Sequence, residues 1–265
     1  MSDQIYFKQD PPSSGIWTVT ISNPEKRNAL TPNILNSLSA FLRDPDLQKE
    51  ARVLVIRGEG EKSFSAGYDI SEIRSAPGQE GQEASSIVLT RALNDIEEFP
   101  APVIAMVNGF CIGAGCHLAV SADLRVCGEG ARFGITPAKL GIVYHPDGIY
   151  KFLSLIGPSK TKELFFTGNL YTALEAKDMG LVDYIVPAGD IEEKVYTLAG
   201  QIADNAPLSV RGAKYIVNSW VSSTGLNPGA AKNIEAIRNT AYASEDIIEG
   251  KKAFAEKRKP VFKGK

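Results

Sequence analysis

The chain has 265 residues, 43% of them hydrophobic, with 29 basic and 31 acidic side chains. That length and apolar content suffice for a large domain whose core needs no disulfide or metal to hold it together. The formal net charge of −2 excludes the strong overall field typical of proteins that bind nucleic acid or a membrane surface.

Short apolar runs bounded by turn residues predict β-strands. The predicted strands are GIWTVTIS (15–22), RVLVIRG (52–58), PVIAMVNG (102–109), ADLRVCG (122–128) and VDYIVP (182–187). The first has the alternation and the β-branched residues of a strand. The middle three are apolar runs closed by glycine, which indicates strands buried on both faces.

Helical patterns alternate with these strands. TPNILNSLSAFLRD (31–44) has Thr31 as a candidate N-cap and Pro32 at the first helical position, where a missing N–H costs nothing. A second helix is predicted over about residues 84–98, between the second and third strands. This alternation predicts an α/β architecture with a largely parallel sheet.

The pattern becomes helical towards the C-terminus. One helix is predicted to begin at Pro158–Ser159, and another at the capping box of residues 172–175. From Asp190 onward only helical patterns follow, and the predicted breaks lie at Pro207, near Gly225–Gly229 and at Ser244. We therefore predict an α/β core over residues 1–200 and a helical region over residues 201–265.

The cysteines and the N-terminal sequence bear on metal binding and location. Cys111, Cys116 and Cys127 match no zinc spacing, and the chain has only two histidines. The start, MSDQIYFKQD, lacks the pattern of a signal peptide, and no apolar run is long enough to cross a membrane. An odd number of thiols suits a reducing compartment. We expect a cytoplasmic protein with no membrane partner and no bound metal.

Two glycine-containing stretches, FSAGYDI (64–70) and GFCIGAGCHL (109–118), are candidates for chemistry. The second invites a dinucleotide-binding interpretation, but its spacing fails. G-x-G occurs at Gly113 and Gly115, the third position is Leu118, and no acidic residue follows at the usual distance. A nucleotide-dependent redox role is therefore not expected.

A different interpretation makes both stretches carriers of backbone N–H donors. A helix that begins near Gly113 would expose unsatisfied amides with partial positive charge. Ala66-Gly67-Tyr68 follows another strand and could direct a second N–H to the same place. Two such donors stabilise an oxyanion transition state by about 3–4 kcal/mol each. The alternative is that both stretches are tight turns whose glycines give clearance, and the spacing leaves both interpretations open.

Five blocks of sequence, in the same order, resemble the crotonase (enoyl-CoA hydratase/isomerase) superfamily. They are NPEKRNAL (23–30), FSAGYDI (64–70), NGFCIGAGCHLAVSADLRV (108–126), ARFGITPAKLGI (131–142) and FAEKRKP (254–260). The resemblance covers nearly the whole chain. It implies a spiral of ββα units followed by a helical C-terminal trimerisation region, with trimers often paired into hexamers. It also implies an acyl-CoA substrate, with coenzyme A as part of the thioester and no further cofactor.

The resemblance also assigns roles to individual residues. The thioester oxygen would be bound by the N–H groups of Tyr68 and Ala114. Lys26 and Arg27 would lie near the phosphates and adenine of CoA. The other implied CoA contacts are Ala66, Asp69 and Ile70 along the adenine and pantetheine path, and Phe254 and Lys257 in the C-terminal region, commonly of a neighbouring subunit.

The chain departs from the family's hydratases at both catalytic glutamates, because His117 and Pro137 stand at the matching positions. The stretch TPAKLGIVYHPDGIY (136–150) resembles the methylmalonyl-CoA decarboxylase branch instead. Enzymes of that branch carry a histidine where Tyr68 stands and a tyrosine at the position of Tyr144. The leading hypothesis is therefore a decarboxylase-like carbon–carbon lyase in which Tyr144 orients the carboxylate.

Other functions stay open. His117 could be the general acid/base of an enoyl-CoA hydratase or isomerase, or it could be a core histidine bonded to its surroundings. A non-catalytic CoA- or RNA-binding relative would fit the loss of both glutamates and the basic segment 251–265, although nucleic acid is not an expected partner. Asp147 is a further candidate nucleophile, but Pro146 and Gly148 beside it predict a turn.

Overall fold

The computed structural model describes residues 3–12, 14–69, 80–222, 239, 243–258 and 260–261, with the backbone alone for 80–86 and 222. The helices and strands, in chain order, are β1 (Gln4–Gln9), β2 (Ile16–Ser22), α1 (Pro32–Leu42), α2 (Pro45–Glu50), β3 (Val53–Gly58), β4 (Ser63–Ser65), α3 (Glu80–Glu98), β5 (Val103–Val107), β6 (Phe110–Ile112), α4 (Ala114–Ser121), β7 (Leu124–Gly128), β8 (Arg132–Gly134), α5 (Pro146–Thr167), β9 (Tyr171–Thr172), α6 (Ala173–Met179), β10 (Tyr184–Val186), α7 (Ile191–Ala203), α8 (Pro207–Ser222) and α9 (Glu245–Ala255). Short 3₁₀ helices lie at Pro24–Lys26, Pro137–Leu140 and Ala188–Asp190.

A six-stranded sheet, in the order β1-β2-β3-β5-β7-β10, forms the centre of the molecule. β1 is antiparallel to β2, and the other neighbouring strands pair in parallel. The register places Val19 beside Ile56, and Ile56 beside Ala105. The predicted α/β class with a largely parallel sheet is confirmed. β1 was not predicted, because its side chains are mostly exposed and give a weak apolar pattern.

The central strands bury both faces, as their apolar runs indicated. Leu54 and Ile56 of β3 belong to the larger core cluster, whereas Val53 and Val55 belong to a second cluster on the opposite face. Successive side chains of a strand point to opposite faces, so helices must cover both sides of the sheet. Helix α7 covers the second face, where Val195 is fully buried.

A smaller sheet, in the order β4-β6-β8-β9, accompanies the central one. Its strands have only two or three residues, so they carry too little periodicity to be predicted from sequence. Its importance lies in where two of its strands end. β4 ends at Ser65 and β6 ends at Ile112, so each strand ends inside one of the two glycine stretches.

Two predicted helix starts are confirmed in atomic detail. The Thr31 hydroxyl accepts the N–H of Ile34 at 3.2 Å and caps α1. Thr172 and Glu175 form the predicted capping box at the start of α6. These local signals are reliable because each satisfies backbone N–H groups that a helix leaves without partners.

The predicted turn at Pro146–Gly148 was wrong, because helix α5 begins at Pro146. The proline takes a first-turn position, where its missing N–H has no cost, and the His145 side chain caps the helix. The helix predicted from Pro158 corresponds to the second part of α5, after a kink at Gly157 with φ 72°.

The C-terminal helices follow the predicted breaks. α8 begins at Pro207, and Ser244 precedes α9 as its N-cap residue. The break near Gly225–Gly229 lies outside the described residues. Helix α7 runs across the predicted domain boundary at residue 200. That boundary stays a prediction. Within the described ranges, no helix combines the length and the apolar character needed to span a membrane.

Candidate active site

The two glycine stretches meet in space. Gly67 has φ +101°, a conformation that L side chains rarely adopt. A Cβ atom built on Gly67 would lie 2.8 Å from the carbonyl oxygen of Ile112 and 3.4 Å from the nitrogen of Ala114. The two turns are therefore in backbone contact, and glycine at position 67 is required by both conformation and space.

Tyr68 is held by a parallel β-bridge to Leu30. The Leu30 N–H donates to the Gly67 carbonyl at 2.7 Å, and the Asp69 N–H donates to the Leu30 carbonyl at 3.0 Å. In an extended backbone, the N–H of Tyr68 points to the opposite side from these two groups. The bridge therefore directs the Tyr68 amide away from Leu30.

Ala114 is the first residue of helix α4, and Gly113 precedes it with φ 55°. Amides of a first helical turn have no acceptor inside the helix and carry partial positive charge. Gly115 lets this turn approach β4, because a Cβ at that position would lie 2.6 Å from the Cβ of Ser65. The Ser65 hydroxyl in turn accepts the N–H of Gly67 at 3.1 Å, so β4 braces both turns.

His117 lies one turn further along α4 and is 8% exposed. Its Nδ1 atom lies 3.2 Å from the hydroxyl oxygen of Tyr144, which comes just before helix α5. The His117 ring also packs near the fully buried Phe152, and the Tyr144 ring makes an edge contact with Phe165. The structure thus brings together two predicted catalytic residues that are far apart in the sequence.

Burial, as the largest cause, and the charges of Lys151 and His145 together lower the pKa of His117 to about 3. The imidazole is therefore neutral at physiological pH. Lys151 forms an ion pair with the partly buried Glu97 behind the histidine. The imidazole can hold the Tyr144 hydroxyl in place, but its low pKa makes it a weak base for proton abstraction from carbon.

Gly148 is a site residue that sequence analysis missed. A Cβ on Gly148 would lie 2.6 Å from Cε1 of Tyr144 and 2.9 Å from Cε1 of His117. The glycine therefore leaves the space in which the two rings meet. The sequence gives one signal for Gly148, namely its place in the first turn of a helix that begins just after Tyr144. That signal can be recognised only when the helix start at Pro146 is known.

The predicted CoA-binding residues near the first glycine stretch also lie together. Lys26 forms an ion pair of 2.6 Å with Asp69, whose side chain is 9% exposed. The carbonyl of Arg27 accepts the N–H of Ala66 at 3.0 Å. Ile70 lies outside the described residues.

Phe110 is a neighbour of this group that sequence analysis did not single out. The Arg27 guanidinium lies 6.0 Å from the centre of its ring, and the ring is 38% exposed. An aromatic ring and a guanidinium form a surface on which a planar base can stack. Its signal in the sequence was its place beside Gly109, at the start of the second glycine stretch.

The other two predicted CoA contacts lie on helix α9 and just after its end. Phe254 is 62% exposed, and Lys257 follows the helix end with φ 53°. The helix packs on the 3₁₀ helix Pro137–Leu140 of the same chain. The structure thus places Phe254 on a helix that touches the segment leading to Tyr144, and Lys257 two residues beyond the end of that helix.

A cleft of about 470 Å³ lies between α3 and the start of α5. His145 and Asp147 form part of its wall, and Thr90 and Asn94 line the α3 side. His145 and Asp147 thus face this cleft, whereas the hydroxyl group of Tyr144 contacts His117. In the residues that the structure describes, no three His, Cys, Asp or Glu side chains are arranged to hold a metal ion.

The chain is similar in sequence and in structure to known proteins. A family model described as enoyl-CoA hydratase/isomerase matches residues 12–265. YngF of Bacillus subtilis, whose name places it among enoyl-CoA hydratases/isomerases, is 36% identical over 265 residues and all of both chains. The solved structure of methylmalonyl-CoA decarboxylase in complex with 2-nitronate-propionyl-CoA is similar with a TM-score of 0.90 and 30% identity over all of both chains. Enoyl-CoA hydratase from Bacillus anthracis gives a TM-score of 0.77 and 31% identity, covering 98% of this chain and 99% of that one.

These similarities extend over the whole fold and not just over the glycine turns. They agree with the central parallel sheet, the small second sheet and the helices around them. The expected fold class is thereby confirmed, and the chain belongs to the crotonase superfamily, in the enoyl-CoA hydratase/isomerase family.

Proposed function

We propose that this acyl-CoA enzyme is a decarboxylase-like carbon–carbon lyase acting on a small acyl-CoA that carries a carboxylate on its α-carbon. The observation that carries the proposal is the hydrogen bond between Tyr144 and the neutral, buried His117. His117 stands at the position of one of the two glutamates that the family's hydratases use, and Pro137 stands at the other. The contact between the turns at Gly67 and Ala114 supports an oxyanion site beside it.

In the proposed mechanism, the thioester carbonyl accepts hydrogen bonds from the amides of Tyr68 and Ala114. The bond between the α-carbon and the carboxylate breaks, CO₂ leaves, and the electron pair forms a thioester enolate. The two amides stabilise the enolate oxygen, each by about 3–4 kcal/mol. A proton from water or a hydroxyl group then adds to the α-carbon. The breaking of the carbon–carbon bond needs no general base, so the missing glutamates are no obstacle.

Tyr144 is assigned to the substrate carboxylate. A hydroxyl group fixed by His117 can orient the carboxylate so that its bond to the α-carbon lies perpendicular to the thioester plane. In that alignment the electron pair of the breaking bond overlaps with the π orbital of the thioester carbonyl. His117 supports this as a positioning residue, because its low pKa keeps it neutral and its contact to Tyr144 constant.

Structural similarity supports the same assignment. The TM-score is 0.90 to methylmalonyl-CoA decarboxylase and 0.77 to the Bacillus anthracis hydratase, although the sequence identities are nearly equal, at 30% and 31%. The arrangement of this chain therefore matches the decarboxylase more closely than that hydratase.

The test is CO₂ release from malonyl-CoA and methylmalonyl-CoA by the purified protein. We expect release well above background, and propionyl-CoA or acetyl-CoA as the second product by mass spectrometry. Binding of a CoA thioester without any CO₂ release would remove these substrates and favour another reaction or a non-catalytic relative.

A second candidate is hydration or isomerisation of an enoyl-CoA, which the name of YngF favours. In this reaction His117 would transfer a proton at the α- or β-carbon, although its low pKa makes it a weak base. Loss of the enoyl thioester absorbance on incubation with crotonyl-CoA would support this candidate. His117→Gln should abolish that turnover while CoA binding survives; an unchanged rate would exclude the role of His117.

We also propose that the chain assembles as a homotrimer or as paired trimers through helix α8. Lys214 anchors the helix to the core through an ion pair of 2.7 Å with Asp123. Its other faces expose large apolar side chains, namely Leu208, Tyr215, Ile216, Val217 and Trp220. A surface of this kind on one helix is typical of a protein–protein interface.

A further inference from the structure

Helix α9 packs on the turn that leads to Tyr144 in the same chain. Gly141 closes the 3₁₀ helix Pro137–Leu140 with φ 69°, and Tyr144 follows three residues later. Ile247 and Ala253 of α9 are fully buried on the side that also carries Gly250. These positions are three residues apart, so they share one face of the helix.

Two glycines make this contact one of backbone on backbone. A Cβ built on Gly250 would lie 2.7 Å from both the carbonyl carbon and the carbonyl oxygen of Leu140. A Cβ on Gly141 would lie 2.9 Å from the carbonyl carbon of Asp246. The atoms that would clash belong to backbone, so no change of side-chain rotamer relieves them. Any larger residue must displace either the helix or the turn.

A displacement of the turn would reach Tyr144. Residues 141–144 are a short link, and a chain spans at most about 3.6 Å per residue. At its far end the Tyr144 ring packs against Phe165, and its hydroxyl lies 3.2 Å from His117 Nδ1. With both ends fixed and so few residues between them, the link can absorb little movement.

We propose that Gly141 and Gly250 are positioning residues for Tyr144, and that helix α9 of each chain serves the active site of that same chain. The inference rests on the proposed role of Tyr144. It differs from the expectation that the C-terminal CoA contacts come from a neighbouring subunit. Phe254 and Lys257 lie four and seven residues after Gly250, so a helix that positions these CoA contacts would also set the turn at the acyl end. Binding energy from the nucleotide would then be used at the reacting centre.

The first test compares Gly250→Ala with Gly200→Ala. Gly200 lies inside helix α7, and a Cβ there would meet nothing within 4 Å, so it controls for the general effect of alanine in a helix. With an acyl-CoA that the wild type turns over, Gly250→Ala should lower kcat by about tenfold to a hundredfold. The Kd for CoA should change by less than about twofold, and Gly200→Ala should retain full kcat. An unchanged kcat in Gly250→Ala would overturn the proposal.

The second test repeats Gly250→Ala in a Tyr144→Phe background. If Gly250 acts through the Tyr144 hydroxyl, adding Gly250→Ala to Tyr144→Phe should cause no further loss of kcat. An equal loss in both backgrounds would mean a general structural effect and would sink the positioning role. Should Gly250→Ala fail to fold, Ala253→Gly removes a buried methyl group from the same helix face and should lower kcat in the same direction.

A third measurement does not depend on the reaction. Hydrogen exchange of the free protein should be faster over residues 141–149 in Gly250→Ala than in Gly200→Ala. Equal exchange would contradict the coupling even if the proposed reaction were wrong. Conversely, faster exchange without any decarboxylation would keep the coupling and remove only the proposed function.

Co-expression tests the same-chain assignment. Tyr144→Phe chains and Gly250→Ala chains are mixed, and the activity is compared with the average of the two parent enzymes. If α9 serves its own chain, no subunit in the mixture is intact and the activity should equal that average. Activity well above the average would mean that an unaltered α9 acts on a neighbour's Tyr144, which would overturn the assignment.

Discussion

The Nδ1 atom of His117 and the hydroxyl oxygen of Tyr144 lie 3.2 Å apart, although 27 residues separate them in the sequence. The imidazole is buried in helix α4 and the phenol stands just before helix α5. Because burial keeps the imidazole neutral, the pair acts as a fixed hydrogen-bonding unit and not as a general acid that supplies protons. Its neighbours determine how each change below should act.

Tyr144→Phe should lower kcat for the decarboxylated substrate by roughly tenfold to a hundredfold. The change removes one hydrogen bond to a charged group, which is worth about 1.5–3 kcal/mol, and leaves the ring in place. KM and the melting temperature should change little. The measurement is steady-state kinetics beside Tyr6→Phe, a control on the half-exposed Tyr6 of strand β1. Equal kinetics for both variants would exclude a role for the Tyr144 hydroxyl.

His117 should make the protein less stable in acid. Its pKa is about 3 in the folded chain and has an ordinary value of 6.5, so between these values the unfolded chain binds more protons. Stability should therefore fall as the pH drops from about 6.5 towards 3, by about 1.4 kcal/mol per pH unit at most. Urea unfolding at pH 5, 6 and 7 measures this slope.

His117→Asn should flatten that slope, whereas His145→Asn should leave most of it in place. The two residues are the only histidines in the chain, and His145 is half-exposed, which makes it the matched control. An unchanged slope in His117→Asn would mean that the acid sensitivity arises elsewhere. The pH–rate profile of the wild type should likewise show no ionisation near pH 6.5 that His117→Asn removes.

Gly148→Ala should push the His117 and Tyr144 rings apart. The added Cβ would lie within 3 Å of both rings, so their hydrogen bond cannot be kept at its present length. We expect kcat to fall by about tenfold or more, with CoA binding retained. Gly212→Ala in helix α8, where a Cβ meets nothing within 4 Å, is the control and should keep its activity. A fully active Gly148→Ala enzyme would mean that the ring contact has no part in turnover.

Gly67→Ala should impair the oxyanion site. The new Cβ would press on the Ile112 carbonyl and lie 3.4 Å from the Ala114 nitrogen, so the two amides would separate. Loss of one donor lowers kcat by roughly 10²–10³. Gly60→Ala is a close control, because Gly60 also has positive φ, at +71°, but a Cβ there meets nothing within 4 Å. If both variants lose activity equally, backbone strain and not the site would be the cause.

Leu208→Glu or Ile216→Glu should dissociate the assembly. Both side chains are exposed on helix α8, at 86% and 57%, and a carboxylate would have to lose its water in an apolar interface. Sedimentation velocity should report smaller species than for the wild type. Leu174→Glu, which changes a 66% exposed leucine on α6, is the control. A wild type that sediments as a single chain would contradict the proposed assembly.

Local signals in the sequence were sufficient for the helices, the buried strands and the resemblance to the family. Thr31 and the pair Thr172–Glu175 indicate helix starts, because their side chains accept hydrogen bonds from backbone amides only three positions away. The strand at residues 52–58 is recognisable because burial on both faces requires an unbroken apolar run. The position of Tyr144 within residues 136–150, which resemble the decarboxylase branch, also made it a candidate before any contact was known.

The sequence by itself thus determined the α/β class, the family and most of the candidate residues, since these depend on local pattern and block order. Only the tertiary structure decided that Gly67 touches Ala114, that Tyr144 meets His117 across Gly148, and that Gly250 rests on the turn before Tyr144. Each of these contacts joins segments far apart in the chain. Their distances are set by the packing of whole helices and sheets, which no short stretch of sequence encodes.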